Sequence, residues 1–198
     1  MRSRVETDRA MPGVTDEALA RASAEGDDRA FEELVRRHQR GVYALARRYT
    51  RNHEDADDVA QESFLRAWRA IGSYDAARPF KPWLYRIVVN AALNHLRTVR
   101  NRKEDELGDP DGLPAQPASA GSDPLAASAG RDAIQAVRRA MARLRPEERA
   151  VLHLRTTEEM GYRDMAAALG VAIGTIMSRL SRARAALRRE LAREGIEP

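Results

Sequence analysis

Between Glu104 and Gly130 the chain has no lysine or arginine, no sustained apolar periodicity, and a high share of Pro, Ala, Gly, Ser and Asp. A stretch of that composition cannot bury enough apolar surface to offset the entropy of ordering it. The 198 residues are therefore expected to fold as two blocks joined by a flexible acidic tether. On both sides of it apolar residues recur in steps of three and four, aromatic residues make up only 5% of the chain, and strand-like alternation is hard to find. The expected fold class is all-α, with a tail over 1–14, a four-helix block over 15–103, the linker over 104–130 and a second helical block over 131–198.

The first block reads as four helices. Gly26 and Asp27 separate a short first helix from a second that carries Phe31, Leu34, Val35, Val42, Leu45, Ala46 and Tyr49 on one side. Asn52 is a good N-cap for a third helix running to Gly72, with Val59, Phe64, Trp68 and Ile71 as its apolar contacts. A loop follows, and Pro82 sits where a first helical turn tolerates proline. That fourth helix has Leu84, Ile87, Val88 and Ala91 on its apolar side.

In the second block Ile134, Val137, Met141 and Leu144 set the apolar side of one helix, and Pro146 ends it and opens another. Then comes the most telling unit. Tyr162, Met165, Ala166 and Leu169 form a short amphipathic helix, Gly170 suits a left-handed cap, and Ile173, Ile176, Leu180, Ala183 and Leu187 form a narrow apolar seam on a second helix. Opposite that seam fall Thr175, Ser178, Arg179 and Arg182, whose hydroxyl and guanidinium groups suit phosphate oxygens and base edges in a major groove. A helix-turn-helix that enters DNA is the expected reading.

Charge is distributed unevenly, which matters more for a polyanion partner than the net +4. Lys81 to Lys103 holds six basic residues and no acid; Glu54 to Glu62 holds five acids and no base. There is no cysteine, so disulfides, thiolate catalysis and cysteine-based zinc sites are excluded. No apolar run approaches a membrane span, and Met1 to Gly13 lacks the apolar core of a secretion signal; a cytoplasmic protein is expected. Phosphate-binding loops and the common hydrolase motifs are absent, and His38, His53, His95 and His153 are scattered without metal-ligand spacing. The chain is expected not to be an enzyme and to need no cofactor or metal. His95 falls on the apolar side of the fourth helix and reads as a packed, hydrogen-bonded histidine rather than a ligand.

The strings DADDVAQESFLRAW (Asp55–Trp68), RPFKPWLYRIVVNAALNHLR (Arg78–Arg97), LRPEERAVLHLR (Leu144–Arg155) and ALGVAIGTIMSRLSRARAALRREL (Ala168–Leu191) together resemble the extracytoplasmic-function sigma factors of bacterial RNA polymerase. The resemblance spans both blocks in order. It implies a sigma region 2 domain that binds core polymerase and recognises and melts the minus-ten element, and a sigma region 4 domain that reads the minus-thirty-five element as duplex. Sequence choice and strand opening would belong to this chain and catalysis to the polymerase.

By that resemblance Asp55, Asp58, Gln61 and Glu62 would contact core polymerase. Taken alone, the same acids could simply favour a helix N-terminus, at roughly 0.3–1 kcal/mol per charge. Minus-ten contacts would come from Arg78, Phe80, Lys81, Trp83, Arg86, Asn90, Asn94, Arg97 and Arg100. Of these, Arg86, Asn90, Asn94 and Arg97, followed by Asn101, form a helical stripe of donors and amides, as single-stranded DNA requires. The rings of Tyr74, Phe80, Trp83 and Tyr85 could stack on bases or be ordinary core, with Trp83 beside Leu84 the expected core case. Minus-thirty-five contacts would come from Gly174, Thr175, Met177, Ser178, Arg179, Ser181 and Arg182. Asn94 stands where an aspartate is frequent in the family, and Met177 where a basic residue is.

The tether's acids, Glu104, Asp105, Glu106, Asp109, Asp111 and Asp123, could act as an RNA-like strand in a polymerase channel or as a solvated spacer. The resemblance also implies an anti-sigma factor, often membrane-bound, that covers polymerase-binding surfaces. A different reading of the residues is a self-sufficient operator-binding regulator whose first block dimerises or binds an effector. The acidic string and the amide-rich fourth helix speak against it.

Overall fold

The computed structural model describes residues 13–50, 52–107 and 128–196. All its regular elements are helical: α1 (Asp16–Ala24), α2 (Asp28–Tyr49), α3 (His53–Ala70), a 3₁₀ turn (Ile71–Ser73), α4 (Phe80–Leu107), α5 (Ser128–Ala142), α6 (Pro146–Thr156), α7 (Tyr162–Leu169) and α8 (Ile173–Arg193). Local signals account for most boundaries. The Thr15 hydroxyl accepts from the Ala18 amide, the Asp27 carboxylate from Arg29 and Ala30, and the Asn52 side chain from Asp55 at 2.7 Å, each satisfying an otherwise orphaned donor of a first turn. Pro146 opens α6. Gly170, at φ 64°, ends α7 in the left-handed conformation that costs glycine least.

Two boundaries differ from expectation. Helix α4 runs to Leu107, past Lys103, because Lys103, Glu104, Asp105, Glu106 and Leu107 include several good helix formers and no breaker precedes Gly108. Glu104, Asp105 and Glu106 therefore belong to its last turns, whereas Asp109, Asp111 and Asp123 lie outside the described residues, as does the tail over 1–12. Helix α5 begins at Ser128, before Arg131. Its packed face differs in part: Ala136 and Ala140 are buried while Ile134 and Val137 are 54% and 41% exposed, whereas Met141 and, just past the helix, Leu144 pack into the core as expected. Small alanines let α5 lie close to α8, and Ile134 and Val137 fall outside that contact.

The tether does not keep the blocks apart. Helix α2 packs on α6 and α4 on α7, and one buried cluster runs through both, from Leu34, Leu45, Leu84 and Val88 to Val151, Leu154, Met165 and Ile176. Two polar anchors sit in this seam. Arg149 Nε and Nη2 donate to the Arg48 carbonyl at 3.0 and 2.8 Å, and its Nη1 donates to the carbonyls of Ala142 and Leu144, both at 3.1 Å. One guanidinium thus bridges the C-terminal ends of α2 and α5, where helix dipoles favour positive charge.

The second anchor is Glu158. Lys81 Nζ lies 2.7 Å from its Oε2 and donates to its main-chain carbonyl at 3.1 Å, while the fully buried His153 places Nε2 3.4 Å from Oε1. Burial alone would push the Glu158 carboxyl up. His153, Lys81 and the Tyr85 hydroxyl outweigh it and hold the group down at about 2. Opposite stands Gly41 of α2, where a β-carbon would collide with the Tyr85 hydroxyl.

Candidate nucleic-acid and polymerase interface

Helix α4 is held by α1, α2, α3 and α7. Its Phe80 amide donates to the Glu17 carboxylate of α1 at 3.0 Å, and Leu84, Val88 and Ala92 are buried, so the opposite side must face outward. Arg86, Asn90, Asn94, Arg97 and Asn101 are all exposed along it, and Arg97 Nη1 donates to Asn94 Oδ1 at 3.4 Å. The expected stripe is thus one continuous surface of donors and amides. The Arg100 side chain lies outside the described residues.

Other minus-ten candidates separate by environment. Arg78 is 80% exposed and pairs with Asp75 at 3.3 Å, and Lys81 is engaged by Glu158. Phe80 must be corrected: at 1% exposure it is core, as is Tyr85. Their rings fill the junction of α4 with its neighbours and cannot present a face to a base in this arrangement. Trp83 is half-buried, its ring centroid 5.1 Å from that of Tyr74 and 5.5 Å from that of Phe80. Burial pushes the Tyr74 phenol up to about 12, and its hydroxyl donates to the Arg78 carbonyl.

On α3, Asp58 and Gln61 are exposed, while Asp55 and Glu62 are half-buried. Glu62 accepts from Arg66 Nε at 2.6 Å, and Asp55 Oδ1 lies 3.4 Å from His95 Nε2; His95 is half-buried as its register suggests, but that nitrogen makes no hydrogen bond, contrary to expectation. Gln61 lines an open groove of about 630 Å³ between α2 and α3 with Arg40, Tyr43, Asp57 and Phe64. Nearby on α3, Leu65 and Trp68 are 51% and 40% exposed. An apolar floor with a mixed-charge rim suits a partner helix.

On α8, Ile176, Leu180 and Ala183 are buried against the fold. Gly174, Met177, Ser178, Ser181 and Arg182 are exposed, whereas Thr175 and Arg179 are only half so. Arg179 and Arg182 share a cavity of about 310 Å³ with Arg145, Glu147 and Glu148, and Arg182 Nε donates to the Ser178 carbonyl at 3.3 Å. Ile173 departs from the expected seam: at 41% exposure it stands outside, because it is the first residue of the helix and nothing packs over it. The exposed face continues through Arg184 and Arg188, which the pattern of faces could have supplied.

Residues 34–102 match Sigma-70 region 2 and residues 134–187 match Sigma-70 region 4. The ECF RNA polymerase sigma factor SigM of Mycobacterium tuberculosis (strain ATCC 25618 / H37Rv) is 40% identical over 179 residues, covering 89% of this chain and 85% of its own. The chain belongs to the extracytoplasmic-function sigma factors. The ECF RNA polymerase sigma-E factor of Escherichia coli (strain K12) is 34% identical over 180 residues, covering 88% of this sigma factor and 93% of its own length.

Among solved structures, CnrH in complex with the cytosolic domain of CnrY is similar at 29% identity and a TM-score of 0.65, covering 89% of this chain and 97% of that one. The sigma factor RpoE in complex with the anti-sigma factor NepR, from Bartonella quintana, gives 28% and 0.64, covering 82% and 96%. This sigma factor is all-helical with region 2 and region 4 domains. It directs RNA polymerase to promoters as a non-enzymatic initiation factor. Among the described residues no helix is long and apolar enough to cross a membrane, and no group of three or more His, Cys, Asp or Glu could hold a metal ion.

What the sequence missed is chiefly Glu158. A single carboxylate in a loop gives no periodic signal; only the fold brings Lys81, Tyr85 and His153 around it.

Proposed function

We propose that α4 holds the separated minus-ten strand while the first turns of α8 read the minus-thirty-five duplex, so that this sigma factor both selects promoters and traps them open. The observation that carries this is the unbroken exposed stripe Arg86, Asn90, Asn94, Arg97 and Asn101. Guanidinium groups on such a stripe follow a phosphate backbone, and amides reach the edges of unpaired bases. Trapped bases offset an unpairing cost of a few kcal/mol, so opening needs no nucleotide hydrolysis by this chain. Arg78, Lys81 and Trp83 are further minus-ten contacts at the N-terminal end of α4, with Lys81 held by Glu158 in the free chain. On α8, Ser178, Ser181 and Arg182 form the exposed reading surface, with Gly174 admitting close approach and Thr175 and Arg179 at its border.

Asp58 and Gln61, beside the groove between α2 and α3, form the core-polymerase contact, with Asp55 and Glu62 supporting the acidic field. The complexes of CnrH with CnrY and of RpoE with NepR support an anti-sigma factor as a further partner for this chain. Its working place is the cytoplasm, where polymerase and promoters are, and a membrane-bound anti-sigma factor would hold it at the membrane.

Run-off transcription and 2-aminopurine fluorescence with reconstituted core enzyme test the reading. Alanine at Arg86, Asn90 and Arg97 together is expected to leave closed-complex binding intact and abolish the opening signal. Unchanged opening would overturn the role of α4, and specific promoter binding without core polymerase would favour an operator-binding regulator instead.

A further inference from the structure

The reading face of α8 carries an apolar pair that the fold does not use. Ile173 and Met177 are 41% and 55% exposed, although Ile176 and Leu180 beside them are buried. The two lie four residues apart and so stack on one side of the first two turns. Their surroundings are those of a nucleic-acid surface. Ser178, Ser181, Arg182, Arg184 and Arg188 are exposed around and beyond them, and a β-carbon at Gly174 would meet nothing within 4 Å, leaving the backbone open to close approach.

In a major groove the polar groups of the base edges call for donors and acceptors. The apolar feature that separates one base pair from another there is the C5 methyl of thymine. A pair of exposed apolar side chains at the end of the helix that enters the groove, with guanidiniums behind it for phosphates, matches that feature in shape and charge. Methionine's unbranched, polarizable chain adapts its contact to a small target.

We propose that Met177, with Ile173, is a specificity-determining contact that selects thymine in the upstream promoter element through its C5 methyl group. This rests on the assignment of α8 to the minus-thirty-five element.

The test uses the full chain with core polymerase and a promoter selected by that holoenzyme from a randomised library. Each upstream thymine is replaced in turn by deoxyuridine, which removes the methyl and leaves every hydrogen-bonding group in place. At one or two positions binding is expected to weaken about three- to tenfold, the scale of one buried methyl with its packing. In Met177→Ala that penalty disappears, since wild-type and deoxyuridine duplexes bind alike. Arg184→Ala, by contrast, weakens both duplexes equally and preserves their ratio.

Sequence-specific binding that is indifferent to every deoxyuridine replacement overturns the inference while leaving the assignment of α8 standing. So does selection of upstream elements without thymine on either strand. So does a methyl penalty that survives in both Met177→Ala and Ile173→Ala. Binding with no upstream sequence preference at all removes the assignment of α8 itself, and the inference with it.

Discussion

Phe80 and Asn90 occupy the same helix and similar company in the sequence, yet one is 1% exposed and the other stands in solvent. Replacing Phe80 by alanine should therefore cost stability, about 3–5 kcal/mol as for other large core truncations. Asn90→Ala should change stability by no more than about 0.5 kcal/mol and appear instead as weaker binding to a single-stranded minus-ten oligonucleotide. Denaturant unfolding and fluorescence anisotropy on the two variants separate the roles. Residue type could not: an aromatic among basic residues suits both a stacking platform and a core, and only packing decides. Gly41 teaches the same lesson. Inside α2 it looks like a propensity defect worth under 1 kcal/mol against alanine, but it faces the Tyr85 hydroxyl so closely that Gly41→Ala should lower the thermal midpoint, through roughly 1–3 kcal/mol of overpacking.

At the level of elements the sequence was most legible where punctuation and periodicity agree. Asn52, Pro146 and Gly170 each mark a helix end that the structure reproduces, because a cap is a local interaction. Faces were harder. In α5 the alanines turn inward and Ile134 and Val137 outward, since closeness of approach to α8, invisible in a hydrophobic pattern, outweighs side-chain size. In α8 the seam was legible from Ile176 onward but Ile173 was not, since a first-turn residue has no neighbour across the turn to cover it. Recognition by this helix can be dissected: Arg182→Ala should weaken upstream binding by about 1–3 kcal/mol on the preferred sequence if the guanidinium reads a base, and equally on every sequence if it holds a phosphate. Competition titrations against altered upstream duplexes distinguish the two.

For the molecule as a whole, two tethered blocks could be read from the sequence, but their packing through Arg149 and Glu158 could not, because pairs such as Lys81 with Glu158 are 77 residues apart. The seam carries its own pH dependence. Glu158 titrates at about 2 in the folded chain against an ordinary value of 4.5. Its contribution is thus present in full above roughly pH 4.5 and is lost as the pH falls toward 2. Thermal midpoints measured between pH 7 and pH 3 should fall more steeply for the wild type than for Glu158→Gln. Equal slopes would mean that the carboxylate does not hold the blocks together.

A lysine that already has a carboxylate 2.7 Å away has its charge balanced, so a phosphate arriving at Lys81 of the free chain gains no net cation and keeps its own condensed counterion. Each protein cation that neutralises a phosphate releases an ion condensed on the strand and steepens the dependence of affinity on salt by roughly 0.7 for a single strand, and Lys81 should be missing from that count. Glu158→Gln should restore it, making the logarithmic salt plot for oligonucleotide binding steeper by somewhat less than one.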